Sequence, residues 1–207
     1  MINELMKRYP VLGECLEDIE RVKDILIHAF ENGGKLLLAG NGGSCADCEH
    51  IAGELMKGFM NKRALSDDVK ADMKNSCGEL GDDTLSKLQN ALPAIPLTSF
   101  SGLNTAFSND VDANLVYAQS VLALGKQGDV FLGITTSGNS CNVVEAVKVA
   151  KARGLTVVAL TGSSGGEVSK VADVTVRVPE TETYKVQELH LPVYHYVCAA
   201  VEKHFFG

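Results

Sequence analysis

The chain has 207 residues, a length that fits one α/β domain with a sizeable core. Its net charge is −7 at neutral pH, so a broad basic face is lacking and nucleic acid is not an expected partner. No apolar run approaches the roughly 20 residues that span a bilayer, and the amphipathic, acid-containing N-terminus differs from a secretory signal. We therefore expect a cytoplasmic protein without membrane contact, whose six cysteines are reduced.

Residues 1–32 carry apolar side chains at helical spacing and predict two helices, with a break at Pro10. Gly33 and Gly34 follow and end the second helix. We interpret this segment as an N-terminal helical extension, of the kind that packs against another subunit.

A strand, a glycine-rich turn and a helix are predicted between residues 35 and 57. Lys35–Ala39 is a short apolar run typical of a buried parallel strand. The turn Gly40-Asn41-Gly42-Gly43 allows the backbone to approach a ligand closely, because glycine has no Cβ. Ser44 is the predicted N-cap of the helix, with Asp47 three residues on as in a capping box. Such a helix start favours an anion.

His50 and Glu54 are spaced i, i+4 and share one face of this helix. Together with the turn they indicate a site for a small acidic metabolite. An ordinary strand–turn–helix with a solvent-facing His/Glu pair is the alternative. Cys45 and Cys48 lack the second pair of ligands that a structural zinc clamp needs.

The segment from 60 to 90 is rich in charged residues, Arg63 among them, and is interpreted as a solvent-facing insertion with one or two short helices. Pro93–Phe100 is predicted as a second strand. A loop then leads to Asn104–Asp112, which contains Ser108-Asn109-Asp110, and a helix is expected over Val111–Leu124.

Strands and helices alternate along the rest of the chain. The predicted elements are a strand at Gly128–Ile134, a helix at Asn142–Arg153, strands at Leu155–Leu160 and Asp173–Val178, and a last helix at Thr183–Phe205. Because each strand is apolar on both faces, we predict an α/β fold with a doubly wound parallel sheet flanked by helices, as a single domain over residues 1–207. Ligands of such folds bind at the carboxyl ends of the strands.

The loop Thr135–Ser140 follows the third predicted strand and carries four hydroxyl side chains and Gly138. Hydroxyls and backbone N–H groups can surround a phosphate monoester without a lysine. The Walker and dinucleotide patterns are absent, so a sugar phosphate fits better than a nucleotide. A serine-rich turn that only caps the next helix is the alternative.

The last helix carries Gln187 and His195 about two turns apart. Added to His50 and Glu54, they supply two imidazoles, a carboxylate and an amide oxygen, a set that Zn²⁺ accepts. A purely structural His195 is the alternative.

Six short sequences carry a resemblance to a known family: GNGGS at 40–44, EHIAGEL at 49–55, SND at 108–110, TTSGNS at 135–140, ALTGSSGG at 159–166 and VQELHLPVYH at 186–195. The chain resembles the SIS (sugar isomerase) domain family, and within it the sedoheptulose 7-phosphate (phosphoheptose) isomerases. The resemblance covers nearly the whole chain except the 60–90 insertion.

This resemblance implies an aldose–ketose isomerase that interconverts D-sedoheptulose 7-phosphate and D-glycero-D-manno-heptose 7-phosphate, the first step toward nucleotide-activated heptose. It also implies a homotetramer with zinc at active sites that subunits share. The implied zinc ligands are His50, Glu54, Gln187 and His195. The implied substrate ligands are Asn41, Gly42, Gly43, Ser44, Glu54, Asn109, Asp110, Thr135, Thr136, Ser137, Ser140 and Gln187.

Moving a carbonyl between two carbons needs a base, an acid and stabilisation of an enediolate. We assign Glu54 as the base and His195 as the acid. Since a carboxylate held tightly by zinc is a weaker base, Glu54 is expected to shift between metal and substrate.

Two departures from the family bear on the substrate. Members often carry an arginine at the position of Gly58, and Lys57 is the neighbouring candidate to replace that charge. The 60–90 insertion is longer than in typical members. A non-catalytic SIS protein that binds a sugar phosphate or associates with a replication initiator, and an isomerase of another sugar phosphate, remain the alternative functions.

Overall fold

A computed structural model describes residues 1–207 and contains one five-stranded sheet of order β2-β1-β3-β4-β5, parallel throughout. The strands are β1 (Leu36–Gly40), β2 (Ala94–Pro96), β3 (Val130–Ile134), β4 (Thr156–Thr161) and β5 (Val174–Arg177). Every residue of β1 and β3 is buried, as expected for strands covered on both faces.

Helices connect the strands and enclose the sheet. They are α1 (Ile2–Arg8), α2 (Leu16–Glu31), α3 (Gly43–Met56), α4 (Asp67–Ser76), α5 (Asp82–Lys87), α6 (Ser101–Phe107), α7 (Val116–Leu124), α8 (Cys141–Ala152) and α9 (Thr183–Phe206). None of them is both long enough and apolar enough to cross a bilayer.

The sheet has an apolar core on each face. Leu36 and Leu38 point into a cluster of 31 buried residues shared with α2, α3 and α9. Leu37 and Ala39 point into a second cluster of 16 buried residues shared with α7 and α8. The alternation follows from the two-residue period of a strand. The predicted doubly wound parallel sheet is confirmed.

The N-terminal segment forms the two expected helices, α1 and α2. The break at Pro10 is a 3-10 helix over Pro10–Cys15, where the missing N–H of proline at the first position leaves no unpaired donor. Helix α2 ends at Glu31, and Gly33 adopts φ +73° just after it.

The segment from 60 to 90 forms the short helices α4 and α5, as predicted. Ser66 caps α4 by accepting from the N–H of Val69, and an isolated bridge between Ala64 and Gln89 closes the segment at its base. The expectation that Arg63 faces solvent is wrong. Its side chain is fully buried, because Glu202 of α9 neutralises it there.

Two predictions between β2 and β3 are corrected. The second strand covers only Ala94–Pro96, because it is an edge strand and Pro96 has no N–H for pairing. The stretch 104–112, to which the sequence assigned no element, forms the end of α6 and a π-helical turn at Ser108–Asp112. Helix α7 begins at Val116, five residues later than predicted, after a 3-10 turn that the Asp112 side chain caps.

Candidate active site

The carboxyl ends of β1 and β3 lie side by side, at the point where the strand order of the sheet reverses. The glycine turn follows β1, and the loop Thr135–Ser140 follows β3. Asn41 of the glycine turn and Asn142, in the first turn of α8 directly after the loop, exchange side-chain hydrogen bonds of 2.8 and 3.0 Å. The two predicted ligand loops therefore converge on one crevice.

A buried tyrosine supports the glycine turn. The hydroxyl of Tyr117 in α7 lies 3.0 Å from the carbonyl oxygen of Gly40 and 3.1 Å from Asn41 Oδ1. Burial raises the pKa of Tyr117 to about 12, so the hydroxyl stays protonated and can donate. Nothing in the sequence pointed to this residue beyond its place on an apolar helix.

The glycine turn leaves room for Gln187. A Cβ built on Gly43 would lie 2.4 Å from Gln187 Nε2, so the amide of α9 rests directly on the start of α3. Gly42, not Ser44, is the N-cap, with φ +56°, and no side chain caps this helix. Ser44 is instead buried inside the first turn, because it packs against Gly40 at the end of β1.

The loop Thr135–Ser140 is held by its own hydroxyls. Thr135 Oγ1 and Ser140 Oγ are 2.9 Å apart, and Ser137 Oγ accepts from the N–H of Asn139 at 3.1 Å. Ser140 is the N-cap of α8, but its side chain makes no capping bond. The half-buried Thr136 accepts at its carbonyl from the N–H of Gly162.

Gly138 brings this loop against its neighbour. It adopts φ +72°, and a Cβ there would lie 2.2 Å from the carbonyl oxygen of Gly165. Only glycine fits such a close backbone approach. Since Ser140 does not cap α8, the first N–H groups of that helix remain available to an anion at this point.

A carboxylate and two imidazoles meet between α3 and α9. His50 Nε2 lies 3.2 Å from Glu54 Oε1 and 3.5 Å from His195 Nε2. The Glu54 side chain is 13% exposed, and its Oε2 is buried without a hydrogen-bond partner. Lys57 Nζ lies 3.6 Å from that oxygen. A single chain therefore brings together Glu54, the predicted base, His195, the predicted acid, and His50, a predicted metal ligand.

The side chain of His195 contacts His50 on one side and lines a groove on the other. Burial lowers the pKa of His195, and the nearby charges of His50 and Arg8 lower it further, against the opposing effect of Glu54. The groove has a volume of about 590 Å³ and runs between α1 and α9. Phe59 lies on its wall, with its ring centre 5.7 Å from that of His195.

Sequence reasoning missed two side chains behind His50. The hydroxyl of Tyr194 donates to Asp47 Oδ1 and lies 3.1 Å from His50 Nδ1. Asp47 was expected to belong to a capping box, and the structure gives it no such bond. Its spacing of three residues from His50, on the same helix face, was the available signal.

Gln187, predicted as a metal ligand, does not join the carboxylate and the two imidazoles within one chain. Gln187 precedes His195 by eight residues of continuous helix, or about 12 Å, and lies at the glycine turn instead. Asn109 and Asp110 lie on the exposed π-helical turn and hydrogen-bond to each other at 2.8 Å.

Comparison with known proteins agrees with this geometry. The model of the SIS domain family matches residues 4–81 and 79–162. A phosphoheptose isomerase of Burkholderia pseudomallei is 38% identical to this chain, over 99% of the chain and 94% of its own length. The chain belongs to the phosphoheptose isomerase family of SIS-domain proteins.

Solved structures of family members share the fold. A phosphoheptose isomerase from Neisseria gonorrhoeae is similar with a TM-score of 0.76 and 32% identity, covering 98% of this chain and 95% of that one. One from Francisella tularensis gives 0.78 and 28%, covering 98% and 96%. The resemblance seen in the sequence is confirmed.

Two separations between donor atoms in this cluster can be compared with those around a metal ion. Ligands of a tetrahedral ion with bonds of about 2.0–2.1 Å lie about 3.3–3.4 Å apart. The separations of His50 Nε2 from Glu54 Oε1 and from His195 Nε2, 3.2 and 3.5 Å, are close to that spacing. No group of three or more His, Cys, Asp or Glu side chains in the chain is arranged to hold a metal by itself. The donor set fits zinc in kind and is incomplete within one chain.

The position of the common family arginine is closed to a side chain here. A Cβ on Gly58 would lie 2.3 Å from the carbonyl oxygen of Asn61, and the Gly58 N–H donates to Gln89 Oε1 at 2.6 Å. The base of the insertion therefore occupies this place, and Lys57 lies 3.6 Å from the Glu54 carboxylate.

Proposed function

We propose that this chain interconverts D-sedoheptulose 7-phosphate and D-glycero-D-manno-heptose 7-phosphate through an enediolate. The observation that carries the proposal is the cluster of Glu54, His50 and His195 on α3 and α9, in a chain whose relatives are named phosphoheptose isomerases. A carboxylate beside two imidazoles supplies the acid and base groups that this isomerisation requires.

The substrate's phosphate would occupy the crevice at the ends of β1 and β3. The loop Thr135–Ser140 and the start of α8 offer hydroxyl and N–H donors to a phosphate. These donors bind an anion without lysine or arginine, so the net negative charge of the chain does not oppose this assignment. We propose that the substrate contacts Asn41, Gly42, Gly43, Ser44, Glu54, Thr135, Thr136, Ser137, Ser140 and Gln187, with Asn109 and Asp110.

Glu54 is the proposed base. Its Oε2 has no hydrogen-bond partner, so a lone pair is available to take a proton from carbon. His195 is the proposed acid, which returns a proton to an oxygen of the enediolate. Because burial surrounds Glu54 with little water, a proton that it takes from one carbon can be delivered to the neighbouring carbon.

We further propose that His50, Glu54, His195 and Gln187 hold Zn²⁺. When bound, zinc supplies Lewis-acid stabilisation of the charge on the substrate oxygens. Gln187 lies about 12 Å along α9 from His195, so it joins the set only through a second subunit or a rearrangement.

A homotetramer with shared active sites is part of the same proposal. The groove beside His195 is lined mainly by apolar side chains, of which Met1, Met60 and Leu191 are exposed. Light scattering of the purified protein would measure the mass of the assembly. The cytoplasmic location stays a prediction, and cell fractionation would test it.

The test of function is a direct assay. The protein is incubated with sedoheptulose 7-phosphate, with and without chelator, and aldose formation is followed by NMR. We expect heptose 7-phosphate to appear and chelation to slow it. Faster turnover of a pentose or hexose phosphate than of sedoheptulose 7-phosphate would replace the proposed substrate. A folded protein that is inactive on every ketose phosphate would favour the non-catalytic alternative.

A further inference from the structure

Tyr194 connects His50 to a carboxylate. Tyr194 is 4% exposed, and its hydroxyl lies 3.1 Å from His50 Nδ1, the ring nitrogen that does not face Glu54. The same hydroxyl donates to Asp47 Oδ1 at 3.1 Å. The rings of His50 and Tyr194 pack edge to face, with their centres 5.4 Å apart. A continuous chain of hydrogen bonds therefore runs from His50 Nδ1 through the Tyr194 hydroxyl to Asp47.

The protons of this chain can be assigned by counting. A tyrosine hydroxyl has one hydrogen, and a carboxylate can only accept. Since Tyr194 donates its hydrogen to Asp47, it accepts from His50, and His50 Nδ1 carries the ring proton. The neutral ring then has its lone pair on Nε2.

That lone pair faces other acceptors. His50 Nε2 lies 3.2 Å from Glu54 Oε1, and no hydrogen lies between the two atoms in this tautomer. Two acceptors at such a distance repel each other unless a cation or an added proton lies between them. The arrangement is therefore preorganised for a positive charge.

We infer that Asp47 and Tyr194 are positioning residues that fix the tautomer of His50, so that Nε2 offers its lone pair to a cation shared with Glu54. This inference rests on the proposed function, in which that cation is zinc. Neither residue belongs to the proposed metal or substrate ligands. A hydrogen-bond partner behind a histidine ligand typically contributes 10- to 100-fold in metal affinity.

The reverse direction of the chain makes a distinct prediction. If Asp47 donated to Tyr194 and Tyr194 to His50 Nδ1, the ring proton would be on Nε2. His50 would then donate to Glu54 Oε1, and the pair would be an ordinary hydrogen bond with no role for a cation. The two directions can be separated by spectroscopy.

The experiment compares Tyr194→Phe with the wild-type protein. Phenylalanine keeps the ring packing and removes only the hydroxyl. Tyr196→Phe is the matched control, because the hydroxyl of Tyr196 bonds to Glu20 on the other side of α9. Long-range ¹⁵N–¹H spectra of the metal-free proteins report the His50 tautomer, and competition with a chromogenic chelator reports the Zn²⁺ affinity.

We expect wild type and Tyr196→Phe to carry the proton on Nδ1, and Tyr194→Phe to show a mixture with 10- to 100-fold weaker Zn²⁺ binding. Asp47→Asn is the second variant, should Tyr194→Phe fail to fold. Its amide can also donate, so we expect a mixed tautomer and weaker binding there too.

A proton on Nε2 in the wild type, or unchanged Zn²⁺ affinity in both variants, overturns the inference. If these results hold but no ketose phosphate is isomerised, the inference stands and the proposed function fails. If isomerisation proceeds while Tyr194→Phe behaves as wild type in both measurements, the proposed function stands and the inference fails.

Discussion

Arg63 and Glu202 form an ion pair in which neither side chain is more than 1% exposed, with Arg63 Nε 2.8 Å from Glu202 Oε1. Arg63 also donates to the carbonyl oxygens of Glu54 and Leu55, the last turn of α3. Glu202 accepts from the N–H groups of Phe59 and Met60, both at 2.7 Å. The pair therefore joins the end of the helix that carries the proposed base to α9, two turns beyond His195.

Removing one partner of this pair should destabilise the protein strongly. In Glu202→Gln the guanidinium of Arg63 stays buried without a counter-charge, and such losses cost about 3–5 kcal/mol. Urea unfolding of both proteins measures the difference. Glu167→Gln is the control, because Glu167 pairs with Lys170 on the exposed surface and contributes below about 1 kcal/mol. Equal stability of the two variants would show that the Arg63–Glu202 pair does not stabilise the fold.

His190 should make the fold sensitive to mild acid. Its side chain is fully buried and both ring nitrogens lack hydrogen-bond partners. Burial lowers its pKa to about 4, and the nearby carbonyl of Thr161 opposes this only partly. Between pH 6.5 and about 4 the unfolded chain therefore binds the proton and the folded protein does not, so stability falls as the pH falls, by up to about 1.4 kcal/mol per unit.

His190→Leu tests this directly. The variant should lose that part of the pH dependence, because leucine does not titrate. The free energy of unfolding, measured by urea at several pH values, decides the matter. His28→Leu, at an exposed position of α2, should leave the slope unchanged. An identical slope in His190→Leu would assign the acid sensitivity to other groups.

Loss of the proposed acid or base should abolish turnover without unfolding the protein. Glu54→Gln and His195→Ala are each expected to lower kcat by about 10²- to 10⁴-fold, the usual contribution of a general acid or base. Circular dichroism and the assembly mass should match the wild type. Near-normal turnover in either variant removes that residue from the mechanism.

The contact between Gly43 and Gln187 gives a test of the glycine turn. Gly43→Ala would push the amide of Gln187 away from the start of α3, because the new Cβ would lie 2.4 Å from Nε2. We expect a raised KM for the sugar phosphate. Gly53→Ala is the matched control on the same helix, with nothing within 4 Å of its Cβ, and should gain about 1 kcal/mol in stability with KM unchanged. The same KM in both variants would exclude Gln187 from substrate binding.

Local sequence patterns are sufficient to predict the fold class and the place of the crevice. Apolar strands alternate with amphipathic helices, and that local pattern is enough to require a parallel sheet with helices on both faces. The two loops rich in glycine and hydroxyl groups each follow a strand, so a parallel sheet brings them to one edge. The spacing of His50 and Glu54 on one helix face was equally readable, because it depends only on helical geometry.

The folded structure was needed to show which distant side chains meet. Arg63 looked like a surface charge because its partner, Glu202, lies 139 residues away. The chain from Asp47 to Tyr194 spans 147 residues, and no local pattern encodes it. The spacing of Gln187 and His195 puts them on one side of a helix. The continuous helix α9 nevertheless separates them, with Gln187 at the glycine turn and His195 beside His50. Packing between α3 and α9 fixes these contacts, and packing is a property of the folded chain rather than of any segment.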